Sequence, residues 1–258
     1  MRFCVIVLLA FSAATEAQEI VTLASRPGVT QSFFVAGMGG RKPEAVALLY
    51  VGGDGIIRLR MEGGQPKFST NNFLPRSRGE FIRNGVQPVV MDSPSDQPSG
   101  LTDHYRSSEQ QAEDARAVLA ELKKRFAQLP VFLVGTSRGT ISAAFLGRAL
   151  GNEVAGVVLT STLFLSPRGA SLSGFDYASI KAPLLFVHHR EDTCQQTPYN
   201  EAHRLSARYP LISVKGGKPA ESGPCDPFAA HGYWGNEHEI VDAIAAWMLK
   251  KPYSREID

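Results

Sequence analysis

One short stretch of the sequence places a serine between glycines, at residues Gly135–Gly139, which read Gly-Thr-Ser-Arg-Gly. In a G-x-S-x-G pattern the serine projects from a sharp turn between a strand and a helix, where larger neighbours would clash with both elements. The pattern alone is easily met by chance, but here the apolar run Val131–Val134 precedes it and a helical pattern over Ile141–Leu150 follows. We therefore predict that Ser137 is a nucleophile; the alternative is that it only caps the helix that follows.

Residues that could activate this serine follow it in the sequence. Glu191 and Asp192 come just after the apolar run Leu184–Val187, where a carboxylate would stand beyond the end of a strand. His231 lies in a loop before the last helical pattern, whereas His238 falls inside that pattern and is expected at the surface. The histidines that could act as a base are His104, His188, His189, His203, His231 and His238.

A glycine-rich run, Gly52–Gly55, directly follows the apolar run Ala45–Val51. Backbone N–H groups in such a loop can stabilise the oxyanion that forms when a nucleophile attacks a carbonyl group. The alternative is an ordinary tight turn, because glycine is the usual residue wherever the backbone needs a positive φ.

With Ser137 between a strand and a helix, and Asp192 and His231 following in that order, the sequence resembles the α/β-hydrolase family over most of its length after residue 17. Members of that family carry their triad in the order serine, acid, histidine. The resemblance implies that Ser137 is the nucleophile, Asp192 the acid and His231 the base. Glu191 is the near alternative for the acid, and a plain structural role for Asp192 is the other.

The resemblance also implies an oxyanion hole. One donor is the backbone N–H of Arg138, the residue after the nucleophile, and the second comes from the loop after the Ala45–Val51 strand, at Gly53 or Asp54. Val51 stands where many relatives have histidine, so the second donor is not fixed by the pattern. The side chain of Arg138 could bind an acidic substrate or form only a surface ion pair.

The implied reaction is hydrolysis of a carboxylic ester through an acyl-enzyme, with no cofactor. An amidase or peptidase would use the same triad, and a non-catalytic binding protein could keep the same fold. A haloalkane dehalogenase or epoxide hydrolase would need aspartate in place of Ser137. Neighbouring residues on a strand point to opposite faces, which disfavours a metal site built from His188, His189, Asp192 and His231.

Residues 1–17 have the layout of a cleaved signal peptide, with Arg2 ahead of the apolar run Phe3–Ala14 and small residues before position 18. The run is shorter than the roughly 20 residues of a membrane anchor, although an anchor or a first buried strand would be the alternative. We therefore expect export, either to the periplasm or to the medium.

Cleavage after residue 17 would remove Cys4 and leave Cys194 and Cys225 as an even pair. An oxidising compartment favours their pairing, and the alternative is two unrelated thiols. A Cys194–Cys225 bridge would join the loop that carries Asp192 to the loop that carries His231.

Strand and helix patterns alternate along the chain, which predicts a mostly parallel, twisted sheet with helices on both faces. We expect one α/β-hydrolase domain over residues 18–258, with an antiparallel edge formed by the first two strands. The predicted strands are Ile20–Ala24, Gln31–Ala36, Ala45–Val51, Pro88–Met91, Val131–Val134, Val154–Leu159, Leu184–Val187 and Leu211–Val214. The predicted helices are Leu74–Asn84, Ser108–Leu129, Ile141–Leu150, Gln195–Arg208 and Glu237–Leu249.

The segment between the strands at Val154–Leu159 and Leu184–Val187 is too short for a sizeable cap domain. An uncapped site would be shallow and would admit small-molecule or polymeric acyl substrates. Several aromatic residues near predicted loop ends could line an acyl pocket or belong to the core, namely Phe73, Phe164, Phe175, Tyr177, Tyr233 and Trp234.

The composition is that of a globular protein, with 43% hydrophobic and 20% charged residues. The net charge is only +2, and the basic run Lys123–Arg125 lies on the expected solvated face of a helix, so nucleic acid is not an expected partner. No stretch after the first is long and apolar enough for a stable membrane anchor. The sequence does not indicate the oligomeric state.

Overall fold

A computed structural model describes residues 18–166 and 169–258. The predicted signal peptide over residues 1–17, with Cys4, lies outside the described residues. The strands are β1 (Glu19–Arg26), β2 (Val29–Val35), β3 (Ala45–Tyr50), β4 (Arg60–Glu62), β5 (Gln65–Lys67), β6 (Val86–Met91), β7 (Val131–Thr136), β8 (Gly156–Thr160), β9 (Leu184–His189), β10 (Leu211–Val214) and β11 (Glu256–Ile257). The α-helices are α1 (Phe73–Arg76), α2 (Arg78–Arg83), α3 (Asp103–Arg106), α4 (Glu109–Phe126), α5 (Gly139–Leu150), α6 (Tyr199–Leu205) and α7 (Glu237–Met248).

Nine of these strands form one sheet in the order β1-β2-β6-β3-β7-β8-β9-β10-β11. The pairs β1–β2 and β2–β6 are antiparallel, and every other pair in the sheet is parallel. Every residue of β3, β7 and β8 is buried, because helices cover both faces of a parallel sheet. The predicted mostly parallel sheet with an antiparallel edge is confirmed.

The helices divide the core into two layers, one on each face of the sheet. On one face α4 and α5 supply side chains such as Leu119 and Leu146. On the other face α1, α2 and α7 supply Leu74, Phe81 and Ile244. Each helix has one apolar side, so burying that side against the sheet removes apolar surface from water and holds the layers together.

The predicted helix over Leu74–Asn84 is wrong in one respect, because it divides at Ser77 into α1 and α2. The division lets Phe73, Leu74 and Phe81 all reach the same core layer. The predicted helix over Gln195–Arg208 is shorter than expected and begins only after Pro198. Residues 192–197 instead form a loop.

Two segments that follow the carboxyl ends of parallel strands determine how open the site is. The segment 161–183, between β8 and β9, contains in its described residues only a short 3-10 turn at Tyr177–Ser179 and no cap domain. By contrast, residues 51–72 form an irregular loop that includes the small hairpin β4–β5, which the sequence did not predict. Within the described residues, no helix is both long and apolar enough to cross a membrane.

Candidate active site

Ser137 lies in the tight turn between β7 and α5. Its φ is +52°, in the left-handed region where a residue with a Cβ is strained. The N–H of Ser137 donates to the carbonyl of Thr160 at 3.1 Å, and its own carbonyl accepts from the N–H and hydroxyl of Thr140 at 2.9 and 2.6 Å. These bonds to β8 and to the first turn of α5 hold the serine in its strained conformation.

The glycines around Ser137 are required by close backbone contacts. A Cβ at Gly135 would lie 2.4 Å from the carbonyl oxygen of Gly139, and a Cβ at Gly139 would lie 2.0 Å from that of Tyr50. A Cβ at Gly52 would lie 2.9 Å from the Cβ of Ser137. The turn therefore packs against the end of β3. This confirms the prediction that larger residues at the glycine positions would clash with the neighbouring strand and helix.

Asp192 and His231 form a buried pair. Asp192 follows β9, and its Oδ2 lies 3.0 Å from Nδ1 of His231; neither side chain is more than 5% exposed. The carboxylate also accepts the N–H of Cys194 at 2.9 Å and the hydroxyl of Thr197 at 2.7 Å. These donors fix the carboxylate, and the carboxylate in turn fixes which nitrogen of His231 faces it.

Ser137 and His231 line the same cavity, whose volume is about 330 Å³. The described atoms include no direct hydrogen bond between the Ser137 hydroxyl and the imidazole. Such bonds are often long in unliganded enzymes and shorten when substrate binds. None of the described residues of the segment 161–183 lines this cavity, so the described part of that segment does not cover Ser137.

The other candidate residues lie elsewhere. Glu191 is exposed, and it does not contact His231 through its side chain. His104 and His203 are also exposed. His238 lies on α7 and bonds to Glu80. Of the two candidate acids, Glu191 and Asp192, it is therefore Asp192 that meets a candidate base, His231.

His188 and His189, at the end of β9, point to opposite sides of the sheet as expected of adjacent strand residues. Nε2 of His188 accepts the N–H of Thr162 at 2.8 Å, and its ring stacks on Phe164. The ring of His189 lies near the carbonyl of Gly216 at 3.2 Å. Both rings therefore have structural contacts.

Burial lowers the pKa of His188 to about 3, well below its ordinary value of about 6.5. As the pH falls, the unfolded chain takes up this proton before the folded chain does. The stabilisation from neutral His188 is therefore fully present above about pH 6.5 and is lost progressively toward pH 3. From this group alone, we expect the free energy of unfolding to fall as the pH is lowered across that window, because the unfolded chain binds one more proton there than the folded chain.

Denaturant unfolding at several pH values measures this effect. The matched variant is His188→Gln, whose side-chain oxygen can still accept the N–H of Thr162 but does not titrate. The free energy of unfolding of this variant should depend less steeply on pH than that of the wild type. The difference in slope should correspond to the binding of about one proton. Equal slopes for the two proteins would contradict the assignment.

The loop after β3 is held in place by two arginines. Arg106 is buried and donates to the carbonyl of Gly53 at 3.1 Å, and Arg138 donates to the same carbonyl at 3.1 Å. Burial lowers the pKa of Arg106 to about 9, so its guanidinium remains charged at neutral pH. The backbone N–H groups of Gly53, Asp54 and Arg138 find no acceptor among the described residues.

The side chain of Arg138 is committed to ion pairs. It donates to Asp103 at 2.7 Å and lies 3.3 Å from Asp54, and it also donates to the carbonyl of Leu101 at 3.3 Å. Arg138 is only 13% exposed and Asp103 only 2%. Of the two sequence alternatives, the structure therefore favours the ion pair, although the pair with Asp103 is largely buried and not superficial.

Sequence reasoning missed one whole wall of the cavity. Residues between β3 and α1 line it, although no motif marks them; these are Ile56, Arg58, Ser69, Thr70 and Asn72. Of the aromatic residues proposed for an acyl pocket, Phe73 alone lines this cavity, whereas Phe164, Phe175 and Tyr177 line a separate one. Tyr233 is fully buried and bonds to the backbone of Val187 and Ser161, and Trp234 packs on Phe228.

Cys194 and Cys225 form a disulfide. Cys194 is the residue whose N–H bonds to Asp192, and Cys225 lines the Ser137 cavity. The disulfide therefore joins the loop of the acid to the loop that leads to the histidine.

The described residues contain one group of side chains that could hold a metal ion, namely Glu80, His238 and Asp242. It lies between α2 and α7, and the guanidinium of Arg83 already bonds to all three side chains. That positive charge occupies the place a cation would take. The described residues that line the Ser137 cavity include no such group.

Several solved structures share this fold. An alpha-beta serine hydrolase homologue from Coxiella burnetii has a TM-score of 0.61 over 88% of this chain and 96% of that chain, at 13% identity. A serine hydrolase without a lid from Xanthomonas campestris has a TM-score of 0.58 over 92% of this chain and 97% of that chain, at 14% identity. A soluble variant of monoglyceride lipase from Saccharomyces cerevisiae has a TM-score of 0.60 over 96% of this chain and 100% of that chain, at 13% identity.

A sequence-family model of hydrolases, described as serine aminopeptidase, S33, matches residues 81–212, just over half of the chain. The matched range includes Ser137 and Asp192 and ends before His231. No curated protein matches the chain significantly. The family match and the shared fold establish that this chain belongs to the α/β-hydrolase family.

Proposed function

We propose that this protein is an exported serine hydrolase that cleaves a carboxylic ester, with Ser137 as nucleophile, His231 as base and Asp192 as acid. One observation supports this above all. A buried imidazole–carboxylate pair, with its nitrogen and oxygen 3.0 Å apart, lines the same cavity as a serine held at a positive φ. A purely structural role would rarely require a serine at a positive φ beside a buried imidazole–carboxylate pair.

The proposed chemistry has two halves. Ser137 Oγ attacks the ester carbonyl while Nε2 of His231 takes its proton, and that proton then passes to the departing alcohol. Water attacks the resulting acyl-enzyme with the same histidine as base and releases the acid. Asp192 holds the proton on Nδ1 of His231 throughout, so Nε2 is free to accept.

The oxyanion formed in each half needs donors that are already oriented. We assign one to the N–H of Arg138, at the start of α5, where the helix dipole adds to the effect. The second belongs to Gly53 or Asp54. The two guanidinium groups that bind the Gly53 carbonyl keep this loop in one conformation, which is what an oxyanion hole requires.

The shape of the site supports the substrate class that we propose. The cavity beside Ser137 holds about 330 Å³ and is open, which suits a small acyl ester or the exposed ester of a polymer. Among proteins of the same fold, one is Est1E from Butyrivibrio proteoclasticus and another is a monoglyceride lipase. Those names favour an ester for this chain.

Export is part of the proposal. The pattern of residues 1–17 is that of a signal peptide, and a disulfide persists mainly in oxidising compartments. The bridge between Cys194 and Cys225 therefore supports a periplasmic or secreted protein.

A second candidate is an amidase or peptidase with the same triad. The observation that favours it is the description of the matching family as serine aminopeptidase. The two candidates differ only in the leaving group, an alcohol or an amine, so the same experiment separates them.

The test uses residues 18–258 with 4-nitrophenyl acyl esters of increasing chain length and with the corresponding 4-nitroanilides. We expect turnover of the esters and covalent labelling of Ser137 by a fluorophosphonate, located by peptide mass spectrometry. Preference for the anilides would favour the amidase. A folded protein that neither turns over any substrate nor takes the label would contradict both and leave a binding function.

The disulfide is expected to support both stability and catalysis, because it joins the loops of Asp192 and His231. Replacing both cysteines with serine should lower the free energy of unfolding by about 2–4 kcal/mol and should also lower kcat. Thermal melting and ester turnover measure the two effects. The double variant should not respond to reductant, whereas the wild type should. Unchanged melting and turnover of the reduced wild type would contradict this role.

A further inference from the structure

The cavity beside Ser137 is lined by three charged side chains, Asp54, Arg58 and Asp226. Asp54 is paired with Arg138 at 3.3 Å, and Asp226 accepts the N–H of Gly223. Within the described part of the chain, the guanidinium of Arg58 has no carboxylate within 4.0 Å and no hydrogen-bond acceptor. Asp226 likewise has no cation partner among the described residues, so the cavity holds one guanidinium and one carboxylate that no opposite charge of the protein pairs with. The unpaired guanidinium belongs to the loop between β3 and α1, and the unpaired carboxylate to the loop that leads to His231.

The backbone holds Arg58 in a fixed and strained conformation. The two carboxylate oxygens of Asp92 accept the N–H groups of Ile57 and Leu59, on either side of it, at 2.9 Å each. The carbonyl of Ile57 accepts the N–H of Ser69 at 2.8 Å. Between these anchors Arg58 has a φ of +53°, a region that residues with a Cβ seldom adopt and that is common at functional sites.

The neighbouring residues on the same wall add hydrogen-bond donors. Asn72 uses its Oδ1 to accept the N–H of Leu74, and its Nδ2 has no acceptor among the described residues. That Nδ2 would lie 3.2 Å from a Cβ placed on Gly52, next to Ser137. Thr70 accepts the N–H of Asn72 through its oxygen, so its hydroxyl proton is available. The wall therefore combines one cation with neutral donors.

We propose that Arg58 determines specificity by binding a carboxylate group on the substrate, so that the preferred ester carries a negative charge in its acyl or alcohol part. The inference rests on the proposed ester hydrolysis and narrows its substrate class. A guanidinium matches a carboxylate with two parallel hydrogen bonds. A fixed backbone on the cavity wall reduces the entropy lost when it does so.

Two substrate pairs test this, each differing mainly in charge. In the first pair the charge lies in the acyl part: mono-4-nitrophenyl glutarate is charged and 4-nitrophenyl pentanoate is neutral. In the second pair the charge lies in the alcohol part: 4-acetoxybenzoate is charged and 4-acetoxybenzamide is neutral. The quantity compared is the ratio of kcat/KM for the charged ester to that for the neutral ester, after subtraction of the rate with Ser137→Ala. We expect this ratio to fall about tenfold or more in Arg58→Gln for at least one pair.

Further variants separate binding from support of the loop. Arg58→Lys should keep part of the preference and Arg58→Glu should reverse it. Arg204→Gln makes the same charge change as Arg58→Gln at an exposed side chain of α6 and should leave the ratio unchanged. Added salt should lower the wild-type ratio. Equal losses on charged and neutral esters, or an unchanged ratio in every Arg58 variant, would overturn the proposal. Failure of ester hydrolysis itself would look different, because the wild type would then turn over neither member of a pair.

Discussion

Ser137→Ala is expected to lower kcat for ester hydrolysis by about 10⁶-fold, as loss of the nucleophile does in other serine hydrolases with a complete triad. Among the described residues, Ser137 is the one hydroxyl in the turn between β7 and α5; the other hydroxyls that line the cavity, on Ser69, Thr70 and Thr136, lie outside that turn. The backbone bonds of residue 137 to Thr160 and Thr140 do not involve its hydroxyl. We therefore expect the variant to fold and to melt near the wild-type temperature.

The measurement is kcat with a 4-nitrophenyl ester, together with the fluorophosphonate label. The matched control is Ser206→Ala, which removes the same atom from an exposed position at the end of α6 and should leave kcat within about twofold. A Ser137→Ala protein that keeps more than about one thousandth of wild-type turnover would contradict the assignment of Ser137 as nucleophile.

The sequence predicted the parts of the fold that depend on local pattern. A strand buried on both faces must be apolar throughout, so the run at β3 could be recognised without knowing its partners. Gly135 and Gly139 could likewise be recognised from the G-x-S-x-G pattern. The pattern reflects a physical need, because at both positions a Cβ would clash with nearby backbone. The family resemblance implies the roles of Ser137, Asp192 and His231, and the structure places the last two 3.0 Å apart, which supports these roles without testing them.

The missed features depend on contacts between distant parts of the chain. Arg58 is held by Asp92, 34 positions away in the sequence, and its strained φ leaves no mark in the local residue pattern. Thr197 bonds to Asp192 because residues 192–197 turn back on themselves, whereas the sequence pattern there favoured an earlier helix start. Aromatic residues gave no reliable guide to the cavity, since burial in the core and exposure to a substrate select the same residue types.

Asp192→Asn is expected to lower kcat by about 10⁴-fold while changing the volume of the side chain little. In the wild type, Oδ1 of Asp192 accepts the N–H of Cys194, and Oδ2 faces Nδ1 of His231. An asparagine that keeps the bond to Cys194 must place its oxygen there, which leaves its NH₂ group facing His231. Facing that NH₂ group and the Thr197 hydroxyl at 3.2 Å, Nδ1 becomes an acceptor. The imidazole proton then moves to Nε2, which can no longer take the proton of Ser137.

The matched control is Glu191→Gln, the same chemical change at the neighbouring carboxylate. Because the side chain of Glu191 is exposed and does not reach His231, kcat should stay within about twofold. The fluorophosphonate should label Asp192→Asn far more slowly than the wild type, since labelling also needs a deprotonated Ser137. If Glu191→Gln instead lost more activity than Asp192→Asn, the acid would be Glu191, and the loop after β9 would have to rearrange when substrate binds.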